Sequence, residues 1–258
     1  MLSLLPIADD NSDRLSRPIV TPILIVLNVL VFVLLQLPNP AFTMAFSVVP
    51  YKIWTGQDLV RQIALSDGQV MFLTPGPQPI YLTLLTAMFM HGGWAHLLGN
   101  MLYLYIFGDN VEDALGHFKF LVFYLLCGLL ATFAHVYASM LAGGLNPFIP
   151  SLGASGAIAG VLGAYIVLFP RKVVYVLFGF FGLFPVPAVL VIGAWIGLQF
   201  LSGVSSQFVP REVGGGVAYW AHVGGAVAGV VLVWLFRSPR VQGRADQRLE
   251  RLENWRGY

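Results

Sequence analysis

Four polar side chains stand out because each falls near the start of a long apolar run: Ser155, His222, His96 and Asn100. A serine hydroxyl is a weak nucleophile until a neighbouring base takes its proton. A histidine can do so near neutral pH. A peptide carbonyl attacked by such a serine becomes an oxyanion and needs preorganised donors. Asn100 offers an amide N–H and His96 a ring N–H. The backbone N–H of Ser155, near a helix N-terminus, is a third donor because the first N–H groups of a helix lack intrahelical partners. No Asp or Glu occurs from Phe120 to Pro210. Asp109, Glu112 and Asp113 lie at the far end of the run that carries His96, and Glu212 reaches the pair only if its loop folds inward. The expectation is therefore a Ser155–His222 dyad rather than a triad.

The elements that position these groups follow from composition. The chain is 57% apolar and 10% charged, where a soluble domain carries about 25% charged residues. This is the composition of a membrane protein, and a formal charge of +2 suggests no nucleic-acid partner. The lone cysteine, Cys127, excludes an intrachain disulfide and argues against a cysteine metal site. The first eighteen residues carry Asp9, Asp10 and Asp13 and no basic n-region, so they do not read as a signal peptide.

A spanning helix needs about 20 mostly apolar residues. Six are expected: about 19–37, 93–108, 118–141, 151–169, a span after Pro187 within 173–201, and 216–236. Val173–Phe184, broken from the span by Gly179, Gly182, Pro185 and Pro187, reads as a surface or re-entrant segment. One set of loops and tails holds eleven of the fourteen Lys and Arg and the other three, which places both termini in the cytoplasm. The expected organisation is a cytoplasmic tail over 1–18, a six-helix domain over 19–236 with a structured outer loop at about 38–92, and a basic tail over 237–258. Leu249, Leu252 and Trp255 could make that tail an amphipathic helix, but a solvated topology anchor is the simpler reading.

Depth connects the polar groups. Ser155 lies four residues into its span, roughly 6 Å, and His222 six residues into its own, roughly 9 Å. His96 and Asn100 share one helix face at i, i+4. All enter from the outer side, so three helices bring them into one shallow layer, where polar groups are functional candidates. Taken singly, the serine reads as a packing residue and each histidine as an interfacial one; the common depth argues against that. Small residues recur at Gly156, Gly160 and Ala164, and at Ala221, Gly225 and Gly229, a period that lets two helices approach closely. Gly153-Ala154-Ser155-Gly156-Ala157 half matches the nucleophile elbow of soluble hydrolases. The second glycine is out of place and no strand precedes it, so that fold is rejected.

Three segments together resemble the rhomboid family of intramembrane serine proteases: His91-Gly92-Gly93-Trp94-Ala95-His96-Leu97-Leu98-Gly99-Asn100-Met101, Gly153-Ala154-Ser155-Gly156 and Ala221-His222-Val223-Gly224-Gly225. The resemblance covers about 18–236. It implies an all-α membrane protein, a six-transmembrane-helix rhomboid bundle, that cleaves single-span membrane proteins near the outer face of the lipid bilayer without metal or cofactor. Ser155 then matches the nucleophile, His222 the base, and His96 and Asn100 the oxyanion residues. His91, Gly153 and Gly156 match supporting positions. Substrate entry past the fifth helix would put Trp195 or Phe200 near a gate. Two positions depart from the family. Leu82-Thr83 stands where many members carry Trp-Arg, and Ala159 stands where some carry a tyrosine that stacks on the histidine, leaving Tyr219 or Trp220 to support His222. Short tails and no transit peptide point to a bacterial plasma membrane. The alternatives are a proteolytically inactive rhomboid-like binder or escort, which the presence of both Ser155 and His222 disfavours, and a transporter, for which the spans lack acidic residues.

Overall fold

The structure, a computed structural model, describes residues 4–64, 70–206 and 218–237. Glu212 and the tail beyond Arg237 therefore lie outside the described residues. Among the described residues three helices are long and apolar enough to cross a membrane: α6 (His117–Ala142), α8 (Ala188–Ser205) and α9 (Tyr219–Phe236). Of the shorter apolar helices two join them in the bundle, α1 (Val20–Leu30), which a π-helical stretch extends to Gln36, and α7 (Ser155–Leu168). The remaining long helix, α5 (Trp94–Leu115), is apolar at its first turns and acidic at its last.

α7 is the centre of the bundle. Every residue from Gly156 to Tyr165 is buried, with α6, α5 and α9 packed around it. The small-residue stripes meet as their spacing suggests. A Cβ added to Gly225 would stand 2.1 Å from the Gly156 carbonyl oxygen, and one added to Gly229 would stand 1.9 Å from that of Gly160. On α7 the third contact comes from Gly163 rather than Ala164: its added Cβ would stand 2.2 Å from the Ala226 carbonyl. Backbone touches backbone along this seam. Close approach of this kind supplies dispersion contacts between helices where lipid leaves little hydrophobic driving force.

A small sheet joins the helices at one end of the bundle. Val173–Phe184, expected as a surface or re-entrant segment, is built of strands joined by a 3-10 turn. β4 (Val173–Phe178) and β5 (Leu183–Pro187) form an antiparallel hairpin between α7 and α8. The β-branched Val173, Val174 and Val176 favour a pleated strand, and the prolines that stop a helix sit at Pro185 and Pro187 on the edge strand, where a missing N–H does no harm. The segment expected to be a tail is also structured. β1 (Leu4–Asp9) pairs with β4, Leu4 opposite Phe178 and Asp9 opposite Val174, completing a three-stranded sheet in the order β1-β4-β5.

The acidic end of α5 holds the stretch of chain between β1 and α1. Glu112, wholly buried, accepts from the backbone N–H groups of Ile19, Val20 and Thr21 at 2.7–2.8 Å. A carboxylate from another helix thus caps the start of α1, where unsatisfied N–H groups and the helix dipole favour negative charge. Asp113 accepts from the Ser16 backbone and hydroxyl at 2.8 and 2.6 Å, and Asp109 pairs with Arg14. Asp9 accepts from the Tyr165 hydroxyl at 2.5 Å and from Asn110 Nδ2 at 2.8 Å. Burial lifts its carboxyl to about 7.

The loop at 38–92 is structured, as expected. It contains α2 (Pro40–Phe46), α3 (Pro50–Thr55), a hairpin of β2 (Arg61–Ala64) and β3 (Val70–Leu73), and the short α4 (Thr83–Thr86) flanked by 3-10 turns. A buried Lys52 ties it together, donating to Asp58 at 2.6 Å and to the Thr74 carbonyl at 2.7 Å. Where the family pair Trp-Arg is missing, Thr83 is buried and its hydroxyl donates to the Ile80 carbonyl at 2.7 Å, while Thr86 donates to Phe46 at 2.9 Å.

Candidate functional site

Ser155 opens α7 rather than lying four residues inside it, because Gly153 turns the chain immediately before. Gly153 has φ +131°, a conformation side chains rarely adopt. Its N–H donates to the Ala87 carbonyl at 2.8 Å. A Cβ there would stand 2.9 Å from His96 Nε2 and 3.6 Å from Ser155 Oγ. The glycine is required both for the turn and for the space that His96 fills. Gly156 is required by contact with α6, since its Cβ would meet Ala131 Cβ at 2.7 Å.

His222 lies in the first turn of α9 and is buried. Its Nε2 is 2.8 Å from Ser155 Oγ. The seam of carbonyl-to-glycine contacts begins at Gly156 and Gly225, directly beneath the two side chains, and this closeness brings the serine and histidine into hydrogen-bond range. A Ser–His pair so joined can deliver the serine proton to the ring as the oxygen attacks a carbonyl.

His96 and Asn100 approach from α5. The Gly92 N–H donates to His96 Nδ1 at 3.2 Å. Nδ1 is then the acceptor, which leaves Nε2 to carry the proton on the side facing Gly153 and Ser155. Asn100 is buried, and its Nδ2 has no hydrogen-bond partner among the described residues. A buried donor without a partner costs free energy unless something else uses it. His91 is also buried. Its ring stacks edge-on against His96 with centroids 5.1 Å apart, and neither ring nitrogen has a hydrogen-bond partner among the described residues. Its backbone is fixed instead: the His91 N–H donates to Gln36 Oε1 at 2.9 Å and its carbonyl accepts from Gln36 Nε2 at 3.0 Å. The last turn of the π stretch after α1 thereby holds the loop that presents His96.

Two α8 side chains support the histidine. His222 Nδ1 is 2.8 Å from Gln199 Oε1, and the Trp195 ring lies 5.3 Å from the imidazole at 34°. Trp220 packs instead against Phe200, edge-on at 6.1 Å. Sequence reasoning named Trp195 only as a gate residue and passed over Gln199 and Gln36. Both glutamines are polar side chains inside apolar helices, the signal that had singled out the others. A concavity lies beside Ser155, walled by Met88, Gly128, Thr132, Gly153, Gly156 and Ala157. Among the described residues no group of three or more His, Cys, Asp or Glu is placed to hold a metal ion.

Comparison with known proteins agrees with the sequence motifs. The family model described as Rhomboid domain matches residues 79–239. The chain is 33% identical over 175 residues to Rhomboid protein 1, mitochondrial, of Saccharomyces cerevisiae, covering 67% of this chain and 47% of that protein. It is 34% identical over 161 residues to Rhomboid-like protein 11, chloroplastic, of Arabidopsis thaliana, covering 61% and 53%. It is 26% identical over 214 residues to Presenilin-associated rhomboid-like protein, mitochondrial, of Bos taurus, covering 77% and 50%. The chain spans about half the length of these relatives. The expectation of a bacterial plasma membrane is corrected by them: these relatives are named as mitochondrial and chloroplastic proteins. The expectation rested on the segments flanking the bundle, and a match to half of a longer protein gives the ends of the chain no weight.

Proposed function

The chain belongs to the rhomboid family, and from that premise we propose that it is an intramembrane serine endopeptidase that cleaves membrane-spanning substrates with Ser155 as nucleophile and His222 as base. The observation that carries the reading is the 2.8 Å contact between Ser155 Oγ and His222 Nε2 at one end of a membrane bundle. Ser155 Oγ bonds to the scissile carbonyl carbon while its proton passes to His222 Nε2. The oxyanion formed accepts from His96 Nε2–H, Asn100 Nδ2–H and the Ser155 backbone N–H. The carbon–nitrogen bond then breaks, and the departing amine takes the proton from His222. A water molecule, deprotonated by His222, hydrolyses the acyl-serine ester and restores the hydroxyl. No charge is asked of a third residue, so the mechanism is that of a dyad.

The same reading extends to topology. α1 with its π stretch, α5, α6, α7, α8 and α9 make six crossings over 19–236, which supports both ends of the bundle emerging on the side opposite the dyad. The narrow concavity beside Ser155 fits a substrate residue with a small side chain. The test is cleavage of a single-span reporter in proteoliposomes. Ser155→Ala and His222→Ala are expected to abolish cleavage and labelling by a serine-directed fluorophosphonate, with the protein still folded. Cleavage that persists in Ser155→Ala removes the nucleophile from this reading. A wild-type protein that binds but neither cleaves nor labels returns it to the inactive escort class.

A further inference from the structure

His222 needs its Nε2 free of a proton at the moment Ser155 loses its own, so its single hydrogen must sit on Nδ1 and find an acceptor there. No Asp or Glu lies between Phe120 and Pro210 to provide one. Gln199 Oε1 stands 2.8 Å from Nδ1, on the opposite edge of the ring from Ser155. An amide oxygen only accepts. Trp195, one helical turn before Gln199, lies against the ring face. We propose that Gln199 is a positioning residue that fixes the tautomer and orientation of His222. The proposal rests on the Ser155–His222 reading above.

The location of Gln199 adds a condition. α8 is the helix least embedded in the bundle: only Ala188, Ile192 and Gly203 of it are buried. A Cβ added at Gly193 or Gly197 would meet nothing within 4 Å. A neutral acceptor on this helix is in place only while α8 is seated against α9. Displacement of α8 by about 1 Å carries a 2.8 Å contact past hydrogen-bond range and leaves the ring free to turn. The other titratable ring at the site, His96, faces Ser155 from α5 and cannot substitute, because it lies on the serine side of the imidazole.

The test uses the full chain with three variants and the reporter assay. Gln199→Met keeps the shape and removes the acceptor. It is expected to lower kcat roughly 10- to 100-fold, the loss of one hydrogen bond to a ring that becomes charged in the transition state, with KM within about twofold of wild type. Gln199→Glu restores an acceptor with charge. It is expected to recover kcat to within about threefold of wild type and to move the acid side of the pH–rate profile to higher pH, because a carboxylate stabilises the imidazolium. A structural role alone would leave that profile unmoved and make both variants lose activity in step with their thermal stability. Either of two results overturns the proposal: Gln199→Met with wild-type kcat, or both variants equally slow with an unmoved profile. Fluorophosphonate labelling separates this from failure of the underlying reading. If wild type labels and Ser155→Ala does not, a negative result belongs to Gln199 alone. If Ser155→Ala still cleaves, the dyad falls and the proposal falls with it.

Discussion

Gly225→Ala isolates what the α7–α9 seam does for the dyad. The added Cβ would stand 2.1 Å from the Gly156 carbonyl oxygen, and ordinary contact begins near 3.4 Å. The helices must part locally by about 1.3 Å, since backbone carbonyl and helix axis give little. Gly156 is next to Ser155, and Gly225 is one turn from His222, so the separation occurs where the dyad is built. The 2.8 Å Ser155–His222 contact opens to about 4 Å, beyond a hydrogen bond. Overpacking costs typically 1–3 kcal/mol of stability, and a misplacement of about 1 Å at reacting groups costs roughly 10²-fold in rate. Cleavage of a single-span reporter in proteoliposomes, read beside thermal unfolding, should show kcat falling about 10²-fold or more while the protein remains folded. Gly197→Ala is the control. Its Cβ meets nothing within 4 Å, and alanine favours a helix over glycine by about 1 kcal/mol, so activity and stability should hold. Wild-type cleavage by Gly225→Ala at unchanged stability would refute the reasoning that close backbone contact sets the dyad distance.

Other expectations rest on the same contacts. Asn100→Ala should lower kcat by about 10²–10³-fold, the effect of one oxyanion donor, with little change in KM; an unchanged rate removes Asn100 from the site. Glu112→Ala strips three N–H groups of α1 of their acceptor and should destabilise the fold by about 1–3 kcal/mol, seen as earlier protease cleavage near residue 20; resistance equal to wild type rejects the cap. Asp9 carries a pH dependence. Its carboxyl is raised from 3.8 to about 7, chiefly by burial, with Tyr165, Asp109, Lys172 and Asp10 also acting on it. The folded state holds a proton that the unfolded chain has released, so the stability it contributes is complete below about pH 4 and is lost as pH rises through 7. Hydrogen exchange of β1 amides, corrected for intrinsic rate, should show protection declining over that window. Asp9→Asn should flatten the decline; an equal decline in the variant assigns it elsewhere.

Much of the site was legible in the sequence because its members share a depth and a spacing. His96 and Asn100 lie on one helix face, and Ser155 and His222 each sit beside a stripe of small residues. These are local patterns that survive without knowledge of the fold. What escaped depends on pairing across the chain. Leu4–Asp9 reads as a tail because its partner is Val174–Phe178. Asp109, Glu112 and Asp113 read only as carboxylates too distant to complete a triad, since nothing in their spacing says that they receive Arg14, the start of α1 and Ser16. Gln199 is one amide in an apolar run, and its meaning comes only from the ring it faces.

β1 also sets an order of events. The strand is synthesised before the helices of the bundle, yet the residues it pairs with emerge about 170 positions later. At roughly 5–20 residues per second, that delay is about 10–35 s. Throughout it, Leu4-Leu5-Pro6-Ile7-Ala8 is an unpaired strand on a nascent chain, and its backbone groups have no sheet to join. α1 can enter the membrane in that interval, but its Glu112 cap arrives only with the end of α5. The three-stranded sheet is thus a late closing step of biogenesis, and a ribosome stalled before Val173 would leave β1 without its partner strand.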